Sequence, residues 1–181
     1  GFVSMGYGQT WWLQPETLAA PAPTPVQVAF AEAIGRGDLA ALETLCRQLP
    51  PETPDTPMAT GMSPLQLAVK LGRSRAAAWL VAHGATLDVL SAWDLGWKDR
   101  VPRLLAASPA LANRRSGDWQ STPLHEAAAR GDVELARLLL AANPDLAVQD
   151  AAFHSTPLGW ARHFERTEIV ELIERHQARF A

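Results

Sequence analysis

The chain has 181 residues, of which 48% are hydrophobic and 19% charged, and its formal net charge is −3. This composition is that of a folded globular protein and excludes an intrinsically disordered chain. The slight negative charge and the lack of a basic cluster favour neither nucleic acid nor an anionic membrane as a partner. No apolar run is long enough to cross a bilayer, so we expect no contact with a membrane.

Cysteine usage bears on the compartment. The lone Cys46 excludes an internal disulfide and a cysteine-rich metal site. The N-terminus also lacks the charged region and apolar region of a secretory signal. We therefore expect a cytoplasmic location and keep the periplasm as an alternative.

Residues 1–23 differ from the rest of the chain. Three early glycines, three prolines and the pair Trp11-Trp12 predict an irregular N-terminal arm with little room for a regular helix. Two adjacent indoles are too apolar to be left in water, so the arm has to cover something. It either caps the exposed end of the first helical unit or reaches over a binding face.

From residue 24 to residue 181 one spacing recurs. A glycine is followed eight residues later by an aliphatic residue, with a small or apolar residue between them, as one buried helical stripe requires. The positions are Gly37, Gly72, Gly96 and Gly131, with Glu165 in the last copy. The spacing predicts five two-helix units, at approximately 24–58, 59–88, 89–116, 117–150 and 151–181.

The fourth unit, from Gly117 to Asp150, carries the most specific motif. Thr122-Pro123-Leu124-His125 is typical of a helix start, because the missing N–H of proline costs nothing in a first turn. Gly131 ends this helix, and a second apolar helix follows. The stretch resembles an ankyrin repeat, which has a β-turn and two short helices around a T-P-L-H core in about 33 residues.

The resemblance implies an all-α fold, an ankyrin-repeat solenoid of paired antiparallel helices with short β-turn fingers. The units depart from it unequally. The first lacks T-P-L-H, the second has Ser63-Pro64-Leu65-Gln66, and the fifth has Gly159-Trp160 where the fourth has His125-Glu126. The third is about ten residues short, so we expect its finger to be missing and its inner helix to run over Val89 to Leu95.

Ankyrin-like proteins bind other molecules on a concave face made of fingers and inner helices, so the resemblance implies a protein-recognition module. Alignment with the motif places Trp119 and Phe153 on fingers, and His163 and Phe164 at the end of an inner helix. Aromatic residues and arginine dominate interface energetics. The predicted binding residues are Trp93, Trp97, Trp119, Arg130, Phe153, His163 and Phe164. Alternatively, Trp119 and Phe153 only stack one finger on the next.

A second function is also open, a small-molecule or catalytic pocket beside the shortened third unit. Trp93, Trp97 and Trp119 would then enclose a cavity. The family has no shared catalytic residues, so whether the protein is an enzyme stays undecided. The candidate acids and bases for such a pocket are Asp94, Glu126, His154 and His163.

The histidines do not predict a metal site, and no cofactor motif is present. His154 and His163 have no third ligand close in sequence. The resemblance implies that His125 hydrogen-bonds the backbone of neighbouring loops. Trp79 and Trp160 occupy helix positions that favour burial in the core.

Overall fold

A computed structural model of the chain describes residues 22–58 and 61–179, so nearly all of the predicted N-terminal arm, including Trp11 and Trp12, lies outside the described residues. The chain divides into two compact units, Gly1–Thr86 and Leu87–Ala181. In the described ranges the regular structure consists of ten α-helices and one short 3-10 turn, without a β-sheet. This confirms the predicted all-α class.

The first unit contains two helix pairs. They are α1 (Pro25–Arg36) with α2 (Leu39–Cys46), and α3 (Pro64–Lys70) with α4 (Ser74–Ala82). Each helix packs against its pair partner, and α1 also packs on α3 and α2 on α4. The large side chains fully buried between them are Phe30, Ile34, Leu42, Leu65 and Leu80.

The second unit contains three helix pairs and a 3-10 turn at Pro109–Asn113. The pairs are α5 (Val89–Asp94) with α6 (Arg100–Ala107), α7 (Pro123–Arg130) with α8 (Val133–Ala141), and α9 (Pro157–His163) with α10 (Thr167–Ala178). Here α7 packs on α9 and α8 on α10. One apolar core runs through the unit, and its fully buried members include Leu124, Leu135, Leu139, Ile169 and Ile173.

Four helices begin in the same way, with a hydroxyl residue at the N-cap and a proline at the first helical position. The N-caps are Thr24, Ser63, Thr122 and Thr156. The first repeat unit lacks T-P-L-H, as the sequence analysis states, and its first helix nevertheless begins with the same local geometry. Thr24 and Gln27 form a full capping box before Pro25, although Val26 and Gln27 stand where the fourth unit has leucine and histidine.

The inner helices end where the glycine spacing predicts. Gly37, Gly72, Gly96 and Gly131 have φ between 64° and 75°, in the left-handed region where glycine has no steric cost. Glu165 follows the same course with φ of 56°. The five predicted repeat units therefore share one backbone turn. In the last repeat unit a residue with a Cβ atom carries the associated strain.

The predicted shortening of the third repeat unit corresponds to a short connection before α5. Only residues 83–88 separate α4 from α5, whereas residues 142–156 separate α8 from α9. Asp88 caps α5 in place of a T-P motif, because its carboxylate accepts the N–H of Ser91 at 2.8 Å. A segment of this length has no room for a finger like the two described below.

The predicted apolar stripe is largely buried. Leu42, Ala77, Val101 and Ala136 are inaccessible to solvent, while Val170 is half-buried. Among the tryptophans expected in the core, Trp160 is buried and Trp79 is only half-buried, with its ring stacked 3.8 Å from that of His83.

Candidate functional site

Two finger loops precede α7 and α9 and place an aromatic residue at the same register. In the first, Ser116 and Ser121 form an antiparallel bridge, with N–H···O distances of 2.9 and 3.1 Å. Gly117 and Gln120 have positive φ and close the turn between them. Trp119 therefore lies in the turn, and its side chain is 50% exposed.

In the second finger a side chain organises the loop. The N–H of Asp150 donates to the carbonyl of Ser155 at 3.0 Å, as the equivalent serine does in the first finger. The Asp150 carboxylate also accepts the N–H groups of Ala152, Phe153 and Ser155 at 2.6–3.0 Å. Phe153, three residues before Thr156, has the register that Trp119 has before Thr122, and it is 66% exposed.

Asp150 also reaches the helix behind its finger. Its Oδ2 atom accepts the indole N–H of Trp160 at 3.0 Å. Burial raises the pKa of this carboxyl, but the bonds from Phe153, Trp160, Ser155 and Ala152 outweigh it and lower the pKa to about 2. The carboxylate thus stays charged while it holds the loop and the indole in fixed positions.

The two fingers are joined to each other by hydrogen bonds. The N–H of Ala151 donates to the carbonyl of Trp119 at 2.7 Å. His125, which is fully buried, bridges from α7 to the second finger, because its Nε2 lies 3.0 Å from the carbonyl of Ser155. A carbonyl can only accept, so Nε2 carries the proton and Nδ1 accepts from the N–H and hydroxyl of Thr122.

This geometry agrees with the backbone-bonding role that the family resemblance implied for His125. Burial lowers the pKa of His125 more than the Ser155 bond and the nearby Asp150 and Glu126 carboxylates raise it. The ring is therefore neutral, in a single tautomer, and both of its nitrogens are used inside the repeat.

Four aromatic rings and one histidine ring form a continuous cluster, here called the aromatic surface: Trp119, Phe153, Trp160, His163 and Phe164. Trp119 contacts Phe153 and Trp160 edge-on, with centroids 5.7 and 5.8 Å apart. Trp160 contacts Phe164 at 6.1 Å, and Phe164 contacts His163 at 4.9 Å. Trp160 is 5% exposed and Phe164 40% exposed. Four exposed rings and one buried ring therefore make up the cluster.

The remaining predicted binding residues do not make ring contacts with the aromatic surface within the described chain. Trp93 is buried, donates its indole N–H to Asp132 at 2.6 Å and lies under the Lys98 ammonium. Trp97 is half-buried, with the Arg100 guanidinium 4.3 Å from its ring centroid. Each indole thus has its own polar partner, and the proposed cavity enclosed by Trp93, Trp97 and Trp119 finds no support here.

The candidate acids and bases of that cavity are also dispersed or paired. Arg130 lies 2.6 Å from Asp94 and 3.8 Å from Glu126, and Glu126 accepts the Ser121 hydroxyl at 2.8 Å. His154 is exposed on the second finger, in a left-handed backbone conformation. His163 is exposed and its ring contact is with Phe164.

Two features of the site go beyond the sequence analysis. Trp160 is buried, as expected, but it also contacts both Trp119 and Phe164. Asp150 has no role in the sequence analysis, although aspartate side chains commonly accept backbone N–H groups about two residues later and so close turns. That signal in the sequence could have identified the loop anchor, but not its bond to Trp160.

No group of three histidine, cysteine or acidic residues in the described ranges could hold a metal ion. None of the helices described is both long enough and apolar enough to span a membrane.

Comparison with known proteins covers one part of this unit. A family model for the ankyrin repeat matches residues 119–151, from the tip of the first finger to the start of the second. A search of curated proteins found no match. The matched segment contains α7, α8 and the capping box of Thr122 and His125. Residues 119–151 thus match the ankyrin-repeat family, and the described chain is all-α with ankyrin-like helix pairs.

Proposed function

We propose that the aromatic surface binds a protein partner, with Trp119, Phe153 and Phe164 as its contact residues. Ankyrin repeats are in general protein-interaction modules. The observation that carries the proposal is a cluster of three exposed aromatic side chains, in which Trp119 and Phe164 contact the buried Trp160 and Phe153 contacts Trp119. In the described part of the second unit, these three are the large hydrophobic side chains left exposed.

The exposure of the rings supports recognition in addition to simple stacking. The edge-on contact of Trp119 with Trp160 contributes about 0.5–1.5 kcal/mol to folding beyond area burial. Half of the Trp119 side chain nevertheless stays in water, and its backbone carbonyl already bonds the next finger. Finger stacking therefore does not need the exposed half of this ring, and a partner that covers it gains apolar burial at little conformational cost.

Hydrogen bonds fix the supporting structure before any partner arrives. Asp150 holds the second finger through three N–H groups, and His125 ties that finger to α7. A preorganised surface loses little conformational entropy on binding, which raises affinity for a given contact area. The proposed role of Arg130 is a secondary one at the edge, because its pairs with Asp94 and Glu126 are partly exposed.

A displayed peptide library tests the proposal without knowledge of the natural partner. Peptides are selected on the intact protein alone, and the selected peptides are then tested on the triple variant Trp119→Ala, Phe153→Ala, Phe164→Ala. We expect Trp119→Ala alone to weaken a selected peptide by about 2 kcal/mol or more. The variant should stay folded, with a free energy of unfolding lower by roughly 2–3 kcal/mol for the lost half-buried area and the two ring contacts. Leu71→Ala removes an exposed leucine of the first unit and serves as the control.

The opposite pattern would assign the rings to finger stacking. That pattern is a large loss of stability in Trp119→Ala together with an unchanged affinity. Peptides that bind the triple variant as well as the intact protein would exclude the aromatic surface as the binding site.

A further inference from the structure

A second candidate site lies between the outer helices α8 and α10, and it shares no residue with the aromatic surface. A cavity of about 300 Å³ opens between them. From α8 it is lined by Arg137, Leu140 and Ala141, a spacing of three and four residues that corresponds to one helix face. The lining residues of α10 and its C-cap, Leu172, Arg175, His176 and Arg179, also share one face.

The cavity combines an apolar base with a cationic rim. Leu140, Ala141 and Leu172 supply the apolar part, and three arginines come from two different helices. Of the described residues that line the cavity, none is acidic. Its volume lies at the lower end of the range for small-molecule sites.

The arginines retain most of their hydrogen-bonding capacity. A guanidinium has five N–H donors, and Arg137 uses one of them on Glu168 at 2.8 Å. Arg175 donates to its own helix and lies 3.9 Å from Glu171. Both ion pairs are more than half exposed, so each contributes little and gives way readily to a better acceptor.

The simplest alternative is that these cations only complement the C-terminal ends of α8 and α10. That account explains residues in the last turn of α10, such as Arg175. It does not explain Arg137, which is in the middle of α8, a full turn before its end at Ala141. Each helix end carries about half a negative charge, which is less than the charge of a single arginine. The helix ends alone therefore do not account for three arginines at this cavity.

We propose that the cavity between α8 and α10 binds a small organic oxyanion, a phosphate or carboxylate group attached to an apolar body. The guanidinium groups of Arg137, Arg175 and Arg179 hold the oxyanion, since their planar donors match phosphate and carboxylate oxygens. The apolar body lies on Leu140, Ala141 and Leu172. His176, at the same rim, reports on occupancy, because burial and the nearby Arg179 lower its pKa and a bound anion raises it again.

Calorimetric titration of the whole chain with phenyl phosphate tests this site, with inorganic phosphate and benzyl alcohol as the two partial ligands. We expect phenyl phosphate to bind at least about tenfold more tightly than either one. Arg137→Gln and Arg179→Gln should each weaken it about tenfold. Arg103→Gln removes an exposed arginine of α6 and should change the affinity less than twofold. NMR titration of His176 should show its pKa rise on saturation.

Several outcomes would overturn the assignment. Equal affinity for phenyl phosphate and inorganic phosphate would show that the apolar base contributes nothing. An equal loss in Arg103→Gln would indicate general charge attraction, and a His176 pKa unchanged at saturation would place the ligand elsewhere. Because all the arginines changed are exposed, melting curves should stay close to that of the parent protein, which keeps the comparison valid.

Discussion

His125 shows how much of this repeat depends on one neutral ring. It is fully buried, accepts two bonds from Thr122 and donates one to the carbonyl of Ser155. We expect His125→Ala to lower the free energy of unfolding by about 1–3 kcal/mol, since buried partners lose their bonds. Urea denaturation measures the change, and His163→Ala, at an exposed ring, is the control. A loss no larger than that of the control would contradict this role.

Glu165 is one of the residues with a Cβ atom that adopt a left-handed backbone conformation. It occupies the left-handed turn that glycine occupies in the other four repeat units, with φ of 56°. The left-handed conformation costs a residue with Cβ about 1–2 kcal/mol, and the extra freedom of glycine in the unfolded chain offsets about 0.5–1 kcal/mol.

We therefore expect Glu165→Gly to stabilise the protein by roughly 0.5–1 kcal/mol. Thermal and urea unfolding check it. Glu165→Ala removes the same carboxylate without relieving the backbone, so it should bring no such gain. If both variants shift stability equally, the charge and not the turn explains the effect.

At the scale of elements, the helix starts and ends were accessible to sequence reasoning because each depends on local chemistry. Proline after a hydroxyl residue and glycine at the left-handed turn identify them. The helix at Thr24 also follows this rule without the T-P-L-H motif, because Thr-Pro with Gln27 three residues later is sufficient for a capping box. The register of Trp119 and Phe153 was equally accessible, since both stand three residues before a motif threonine.

The central position of Trp160 was not accessible in that way. Its contacts with Trp119 and Phe164 join a finger to the end of α9, and its indole N–H bonds a loop residue ten positions earlier. Such contacts depend on the angle between finger and helix, which no local propensity encodes. The dispersal of Trp93 and Trp97 follows from the same cause, because the side chains that pair with them, Asp132 and Arg100, decide their orientation.

The second finger offers a test at this scale. Asp150 closes it by accepting three backbone N–H groups and the Trp160 indole. Asparagine has the same size but only one acceptor oxygen, so Asp150→Asn leaves part of this set unpaired. We expect faster amide hydrogen exchange at Phe153 and Ser155 and a loss of about 1–3 kcal/mol in stability.

Asp118→Asn provides the matched control, because Asp118 is an exposed carboxylate in the neighbouring finger. It should leave the exchange rates of both fingers nearly unchanged. Exchange in Asp150→Asn that accelerates across the whole unit and not only in the finger would show that Asp150 supports the fold in general.

At the scale of the whole molecule, the response to acid depends on how His125 and Asp150 titrate. Folding lowers the pKa of His125 below 6.5, chiefly through burial, so the folded state binds its proton less readily than the unfolded chain. Folding lowers the pKa of Asp150 from 3.8 to about 2, because its four donors outweigh its burial. In both cases the unfolded chain binds more protons, and stability therefore falls as the pH falls.

The contributions of the two groups begin to decline at different pH. The contribution of His125 is complete above pH 6.5 and declines as the pH drops through its lowered folded pKa, while that of Asp150 is complete above about pH 4 and declines toward pH 2. Both residues belong to Leu87–Ala181, so amide protection should be lost in that unit first on acidification. Urea midpoints measured from pH 8 to pH 2, with residue-resolved amide exchange, follow the loss of stability.

Asp150→Asn should flatten the curve of stability against pH only below about pH 4. The decline that begins near pH 6.5, which belongs to His125, should remain. A stability independent of pH between 7 and 4 would contradict the buried neutral state of His125, and earlier loss of protection in residues 22–86 would place the acid-sensitive groups elsewhere.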